Sequence, residues 1–149
     1  MTDFDNKYIV DESFPMMMST CVKYMRETLN ARFTKSGCNI TSEQWMLLIY
    51  LAEQDGITQQ TLAGFCAISK VSVLNLIKKL EINNLIVRHP DPVDARSNRV
   101  YLTNKGRKIK NSLIPLAKAN IKQMTEGISN DDIELLKRTV KKITINLER

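Results

Sequence analysis

The residues best suited to binding chemistry lie between positions 70 and 110, where basic side chains are concentrated. Ten Lys or Arg and three Asp or Glu residues occupy this window, whereas the whole chain of 149 residues has a net charge of +6. Basic side chains bind phosphates, and the groups between them can contact base edges. We therefore expect binding to double-stranded DNA. The candidate contact residues are Lys70, Val71, Ser72, Asn75, Lys78, Lys79, Arg88, Arg96 and Arg99.

Catalytic and metal-binding chemistry has little support in the sequence. His89 is the only histidine, and no Ser or Cys lies in a recognisable nucleophile motif. Glycine-rich phosphate-binding motifs are absent from the sequence. The three cysteines, Cys21, Cys38 and Cys66, have neither zinc-ligand spacing nor an even number for a disulfide framework. We expect a protein that is not an enzyme, has no cofactor or metal, and works in the reducing cytoplasm.

Residues 70–81 are predicted to form a helix that positions the first group of candidate residues. Val73, Leu76, Ile77 and Leu80 recur at helical spacing and would face a core. Ser69 can cap this helix. A shorter helix over about residues 58–65 and a turn at residues 66–68 would precede it, which makes a helix-turn-helix. The opposite, polar face consists of Val71, Ser72, Asn75, Lys78 and Lys79.

A two-stranded β-ribbon is predicted to follow this helix. Residues 85–88 and 99–102 have strand-forming composition, and the segment between them is rich in Pro, Asp, Ser and Asn. Asn84 tolerates the left-handed conformation that commonly ends a helix. Arg96, near the ribbon tip, could enter a narrow minor groove. Asp94 is close enough in sequence to orient either Arg88 or Arg96.

These elements together resemble the winged helix-turn-helix of the MarR family of bacterial transcription regulators. The resemblance rests on the run Leu85-Ile86-Val87-Arg88, on the wing Asp91-Pro92-Val93-Asp94-Ala95-Arg96-Ser97, and on the tail Leu102-Thr103-Asn104-Lys105-Gly106. Family members often carry Arg and Asp where this helix has Asn75 and Lys78, and usually Gly where Asn84 stands. Because arginine suits guanine and asparagine suits adenine, the departures affect the expected DNA sequence.

The resemblance implies a mainly α fold with a small β-wing, in which dimerisation helices flank the winged-helix core. The expected organisation is a single domain over residues 1–149, with a DNA-binding lobe at 41–103 and a helical dimerisation lobe at 12–36 and 104–149. It also implies a homodimer on a near-palindromic operator, repression as the default outcome, and control by a small aromatic or anionic effector.

The helices on either side of the core can be predicted from the residues themselves. A long helix is expected over residues 15–33, and Thr41 to Gln44 have the form of a capping box. A helix over about residues 104–126 contains Pro115, which should kink it. The last helix carries an apolar stripe with spacings of three and four, which favours a two-fold dimer. The stripe is Ile133, Leu136, Val140, Ile143 and Leu147.

Regulation remains open at this point. An effector pocket would draw on Met17, Cys21, Tyr24 and Trp45, by analogy with the family. Alternatively, Cys21 or Cys38 could be a redox-sensing thiolate, although Cys21 lies on the apolar face of its helix and is expected to be buried and inert. A third interpretation is a winged-helix module that binds an acidic protein partner. Neither the acidic first dozen residues nor any apolar run predicts secretion or a membrane span.

Overall fold

A computed structural model describes residue 10 and residues 13–66 and 68–148 of the chain. The predicted acidic lead-in, residue 12 of the expected dimerisation lobe and Ala67 of the predicted turn lie outside the described residues. The elements in chain order are α1 (Phe14–Lys35), α2 (Ser42–Glu53), β1 (Ile57–Thr58), α3 (Gln59–Cys66), α4 (Lys70–Ile82), β2 (Ile86–Pro90), β3 (Asn98–Leu102), α5 (Asn104–Met124) and α6 (Asn130–Leu147).

The two predicted strands pair as a hairpin, β2 with β3, and a third strand, β1, extends it to an antiparallel sheet in the order β1-β3-β2 that the sequence did not predict. The additional strand is β1, which pairs Ile57 with Val100 of β3. It directly follows Gly56, whose φ of +73° favours glycine. A Cβ there would also lie 2.7 Å from the ring of Tyr101. This strand ties the start of α3 to the wing.

The helix boundaries follow side-chain caps that the sequence supplies. Thr41 and Gln44 form the predicted capping box at the start of α2. Ser69 accepts a hydrogen bond from the backbone N–H of Ser72, as predicted for α4, and Thr103 caps α5 in the same way. Asn84 has the predicted left-handed conformation, with a φ of +57°. These local signals place α4 within about one residue of its predicted limits.

One hydrophobic core joins α2, α3, α4 and the sheet to the C-terminal end of α1 and the middle of α5. It includes the predicted α4 residues Val73, Ile77 and Leu80, all at most 1 % exposed. Phe33 of α1 contacts Trp45 of α2 edge to face, with ring centroids 5.8 Å apart. The Trp45 indole N–H donates to the carbonyl of Lys110 in α5 at 3.1 Å. The supporting helices therefore hold α4 in a fixed position.

Helix α6 and the first half of α1 leave apolar side chains uncovered. No described residue of α6 is buried, and Leu136 and Leu147 of its stripe are 57 % and 80 % exposed. On α1, Phe14 and Met17 are 58 % and 61 % exposed. Exposed apolar area on this scale marks an interaction surface.

No single helix among the described residues has the length and apolar character to cross a membrane. No group of three or more His, Cys, Asp or Glu side chains in the same part of the chain is arranged to hold a metal ion.

Candidate nucleic-acid interface

The outward face of α4 carries the first group of predicted contact residues. Helical geometry places Val71, Asn75 and Lys78 on the side opposite the buried Val73 and Ile77. All six predicted residues of this helix, Lys70, Val71, Ser72, Asn75, Lys78 and Lys79, are exposed. The helix therefore presents a polar and basic surface that is free of the core, as a helix in a major groove requires.

The wing is held in shape by Asp91, a residue that sequence analysis did not single out. Its carboxylate is 7 % exposed and accepts the backbone N–H groups of Val93 and Asp94. It also accepts Nε of Arg99 at 2.7 Å, and Nη1 of Arg99 donates to the carbonyl of Gly56 at 2.9 Å. These contacts lower the pKa of Asp91, the hydrogen bond from the backbone of Val93 contributing most.

Arg88 is held at the base of the wing by Glu81 in the last turn of α4. Nε of Arg88 lies 3.0 Å from Oε2 of Glu81, and Nη2 donates to the same oxygen. The hydrogen bond from Arg88 lowers the pKa of Glu81, and the same bond raises that of Arg88. This pair connects the end of the helix to the first strand of the wing.

Asp94 does not orient a guanidinium group, contrary to the prediction. Its carboxylate accepts the backbone N–H of Arg96 at 3.0 Å, and its carbonyl accepts the N–H of Ser97. Arg88 is oriented by Glu81 instead, because β2 brings these two side chains together. Asp94 therefore fixes the main chain at the wing tip and leaves the side chain of Arg96 exposed.

The predicted basic residues thus fall into two groups. Arg88 and Arg99 are partly engaged by carboxylates within the chain. Lys70, Lys78, Lys79 and Arg96 form no ion pair with any described residue. The positive charges of this second group are therefore fully available to phosphates.

The tail that follows the wing packs so closely on Leu85 that it requires glycine at position 106. A Cβ at this position would lie 2.1 Å from the carbonyl oxygen of Leu85, a distance that no side chain permits. The close approach lets Thr103 donate to the carbonyl of Asn84 and Lys105 donate to that of Asn83, at 2.8 and 3.0 Å. The start of α5 is thereby attached to the C-terminal end of α4.

The four residues predicted for an effector pocket do not converge within the chain. Met17, Cys21 and Tyr24 line one shallow site on α1, whereas Trp45 lines a separate groove between α1 and α2. Cys21 is exposed, so its predicted burial is wrong for the single chain. Cys66 is the buried cysteine, and burial raises the pKa of its thiol.

A larger cavity that the sequence did not indicate adjoins the end of α4. It has a volume of about 560 Å³ and lies between the loop after α1, the turn after α4 and the first half of α5. Lys105 is the single charged residue among those that line it, and Ile40, Leu85, Ile109 and Leu113 supply apolar surface. Only the tertiary fold brings these three segments together.

A helix-turn-helix with an exposed polar second helix, followed by a hairpin with an arginine at its tip, defines a winged-helix DNA-binding protein. The sequence model of the MarR family matches residues 40–97, which cover this unit as far as the wing tip and end directly before β3. Over these residues the chain is similar to members of the MarR family.

Curated relatives and solved structures extend this similarity over most of the chain. The transcriptional regulator HosA of Escherichia coli O111:H- is 26 % identical over 113 residues, which are 76 % of this chain and 84 % of HosA. The DNA complex of Staphylococcus aureus MepR superposes with a TM-score of 0.83 at 25 % identity, covering 91 % of this chain and 98 % of MepR. Bordetella bronchiseptica BpsR, whose DNA binding is regulated by 6-hydroxynicotinic acid, superposes with a TM-score of 0.85 at 19 % identity, covering 93 % of this chain and 98 % of BpsR.

Proposed function

We propose that this protein is a sequence-specific regulator of transcription that binds a near-palindromic DNA operator as a homodimer and represses the genes beside it. The observation that carries the proposal is the exposed outward face of α4 beside a wing whose tip arginine is free. The relatives, which are transcriptional regulators, support a role without catalysis. A regulator of this kind acts in the cytoplasm.

In this proposal the lobe at residues 41–103 binds the duplex and each element has a separate task. The first turns of α4 enter the major groove, where Val71 and Asn75 face the base edges and Ser72 lies beside them at the start of the helix. Lys78 and Lys79, further along the helix, lie near the phosphates, and Arg96 enters the adjacent minor groove. Arg88 and Arg99 act chiefly by holding the wing against α4 and β1.

The homodimer would form through the helices at residues 12–36 and 104–149. Helix α6 has a continuous apolar stripe that its own chain leaves half-buried or exposed, and the first half of α1 is uncovered as well. A two-fold pair of these lobes would cover both surfaces. It would place two α4 helices one helical turn of DNA apart, roughly 34 Å.

We further propose that a small aromatic acid controls DNA binding from the cavity that contains Lys105. The apolar walls suit an aromatic ring, and the ammonium group suits a carboxylate. Nζ of Lys105 now donates to the carbonyl of Asn83, which directly follows α4. A bound carboxylate would compete for this ammonium group, so ligand binding would alter the contact between α5 and the end of α4.

This effector proposal can be tested by titrating the protein–operator complex with 6-hydroxynicotinate and other aromatic carboxylates. Release of DNA by one of them should be weakened in Lys105→Met. Lys108→Met is the matched control, because Lys108 is exposed on the same helix and does not line the cavity. Equal responses of the two variants would place the effector elsewhere.

A redox sensor and a protein-binding module are the competing functions. Of the three cysteines, Cys21 is exposed, and exposure alone does not make a cysteine a redox sensor. A protein-binding module would not require the free Arg96 at the wing tip or Asn75 on α4. The fold gives no separate observation that favours either function over DNA binding.

The decisive experiment is selection of the purified protein on randomised duplex DNA, followed by affinity measurements at several salt concentrations. We expect a palindromic motif and an affinity that falls steeply with salt. Arg96→Ala should weaken binding to all duplexes, whereas Asn75→Ala should reduce affinity mainly for the selected motif, by about 1–3 kcal/mol. Lys137→Ala, on exposed α6, is the control. Absence of an enriched motif would contradict the proposal.

A further inference from the structure

Two of the outermost residues of α4, Val71 and Asn75, differ in chemistry from the Arg and Lys side chains that bind guanine. Counting 100° per residue, Val71, Asn75, Lys78 and Ile82 lie directly opposite the buried stripe. Val71 is 68 % exposed and Ile82 is 79 % exposed, although both are large and apolar. The helix from Lys70 to Ile82 contains no arginine, the residue that most often binds guanine in a major groove.

The hydroxyl group of Ser72 has a partner within the helix. Its Oγ lies 2.9 Å from Oγ of Ser69, and its backbone N–H donates to the same Ser69 oxygen at 3.1 Å. Ser72 is therefore part of the cap at the start of α4. Of the stripe residues in the first two turns of α4, Val71 and Asn75 are therefore the ones that can contact base edges.

Each of these two side chains matches one base. The C5-methyl group of thymine is the apolar feature of the major groove, and a valine side chain can pack on it without a hydrogen bond. The amide of asparagine can accept from N6 and donate to N7 of adenine, which forms a bidentate contact. Because residues four apart lie on one helix face, separated by roughly 6 Å along the axis, the two bases would fall within about two base-pair steps.

We infer that each operator half-site contains a thymine whose methyl group packs on Val71 and, within two base-pair steps, an adenine bound by Asn75. The inference rests on the proposed DNA-binding function and specifies the ligand of its major-groove surface. In the proposed docking, Lys78 and Lys79 lie near the phosphates, and the inference concerns only the two positions contacted by Val71 and Asn75. The first two turns of α4 therefore select A·T pairs at these two positions.

The inference can be tested one atom at a time on the selected duplex. At the thymine assigned to Val71, replacement of dT by dU removes only the methyl group. We expect wild-type affinity to fall about fourfold, the value for one buried methyl group. In Val71→Ala the same replacement should have little effect. Ile82→Ala is the matched control, since Ile82 is an exposed apolar residue at the other end of the same stripe, and it should keep the full methyl effect.

The adenine contact has a parallel test. Replacement of the assigned dA by 7-deazaadenine removes the N7 acceptor and should weaken wild-type binding by about tenfold, but leave Asn75→Ala unchanged. Guanine or cytosine at both positions, or equal methyl sensitivity in wild type and Val71→Ala, would overturn this inference while leaving DNA binding intact. Failure to bind any duplex would instead overturn the proposed function together with it.

Discussion

Asp91 and Arg99 form a partly buried hydrogen bond across the base of the wing tip, with 2.7 Å between Oδ2 and Nε. The strand register pairs Pro90 with Asn98, so these two residues lie just on either side of the last paired position. Nη1 of the same guanidinium group donates a hydrogen bond to the carbonyl of Gly56, which directly precedes β1. One ion pair therefore links the wing tip, the sheet and the start of α3.

We predict that Asp91→Asn makes the protein less stable above pH 4 and less dependent on pH in acid. The pKa of Asp91 lies below its ordinary value of 3.8 in the folded state, mainly because of the Val93 backbone bond. Its contribution to the free energy of unfolding is therefore present above that value and is lost as the pH falls through the lowered pKa. Asparagine has no charge to lose.

Urea unfolding of both proteins between about pH 2.5 and pH 6 would measure this difference. The free energies of unfolding of the two proteins, plotted against pH, should be furthest apart near pH 6 and should converge in acid. Asp131→Asn, which removes an exposed carboxylate from α6, is the control and should follow the wild type. A gap between wild type and Asp91→Asn that stays constant with pH would show that Asp91 has no such role.

Glu81→Gln should increase the affinity for non-specific duplex DNA. The substitution removes a negative charge beside α4 and weakens the hold on Arg88, whose guanidinium group could then reach a phosphate. For one additional phosphate contact, the slope of log K against log salt should become steeper by about 0.9. Fluorescence anisotropy on a scrambled duplex at four salt concentrations would measure it.

The control for this change is Glu134→Gln. Glu134 pairs with Lys137 on α6, so the substitution changes the net charge equally but away from the proposed DNA surface. A slope that rises equally in both variants would mean that net charge alone is responsible. An unchanged slope in Glu81→Gln would show that Arg88 stays on the wing.

The sequence was most informative where a single helix turn or a short cap determines the structure. The spacing of Val73, Ile77 and Leu80, together with Ser69, predicted α4 and its outward face, and both are confirmed. Strand β1 was missed because two residues, Ile57 and Thr58, are too few to show an alternating pattern. They form a strand only because β3 lies beside them.

Contacts between distant residues were predicted less well. Asp94 was predicted to orient a wing arginine and Asp91 was not singled out, because sequence proximity does not reveal the hairpin register. On α1, helical spacing predicted one apolar face, but only its C-terminal part is covered by the rest of the chain. Cys21 consequently lies in the exposed part, and the cavity at Lys105 depends on three separate segments.

Cys66 should be the least reactive of the three cysteines. Cys21 is exposed, Cys38 is half-buried, and burial raises the pKa of the Cys66 thiol. Because the thiolate is the reactive form, iodoacetamide at pH 8 should label Cys66 most slowly. Peptide mass spectrometry over time would give the three rates. Mild peroxide should leave DNA binding unchanged, whereas loss of binding that Cys21→Ser prevents would support the redox alternative.

Leu136→Asp should convert the protein to a monomer. Leu136 belongs to the α6 stripe and is 57 % exposed in the single chain, so a charge there would cost little in the isolated chain but would be desolvated in a dimer. Leu135→Asp is the matched control, since Leu135 is 55 % exposed on the same helix but lies about 100° away from Leu136 around its axis. Sedimentation equilibrium would distinguish the two variants.

Because a monomer would bind one half-site only, its affinity for the palindromic operator should fall by about 100-fold or more. A dimeric Leu136→Asp with full affinity would place the dimer contact outside this stripe.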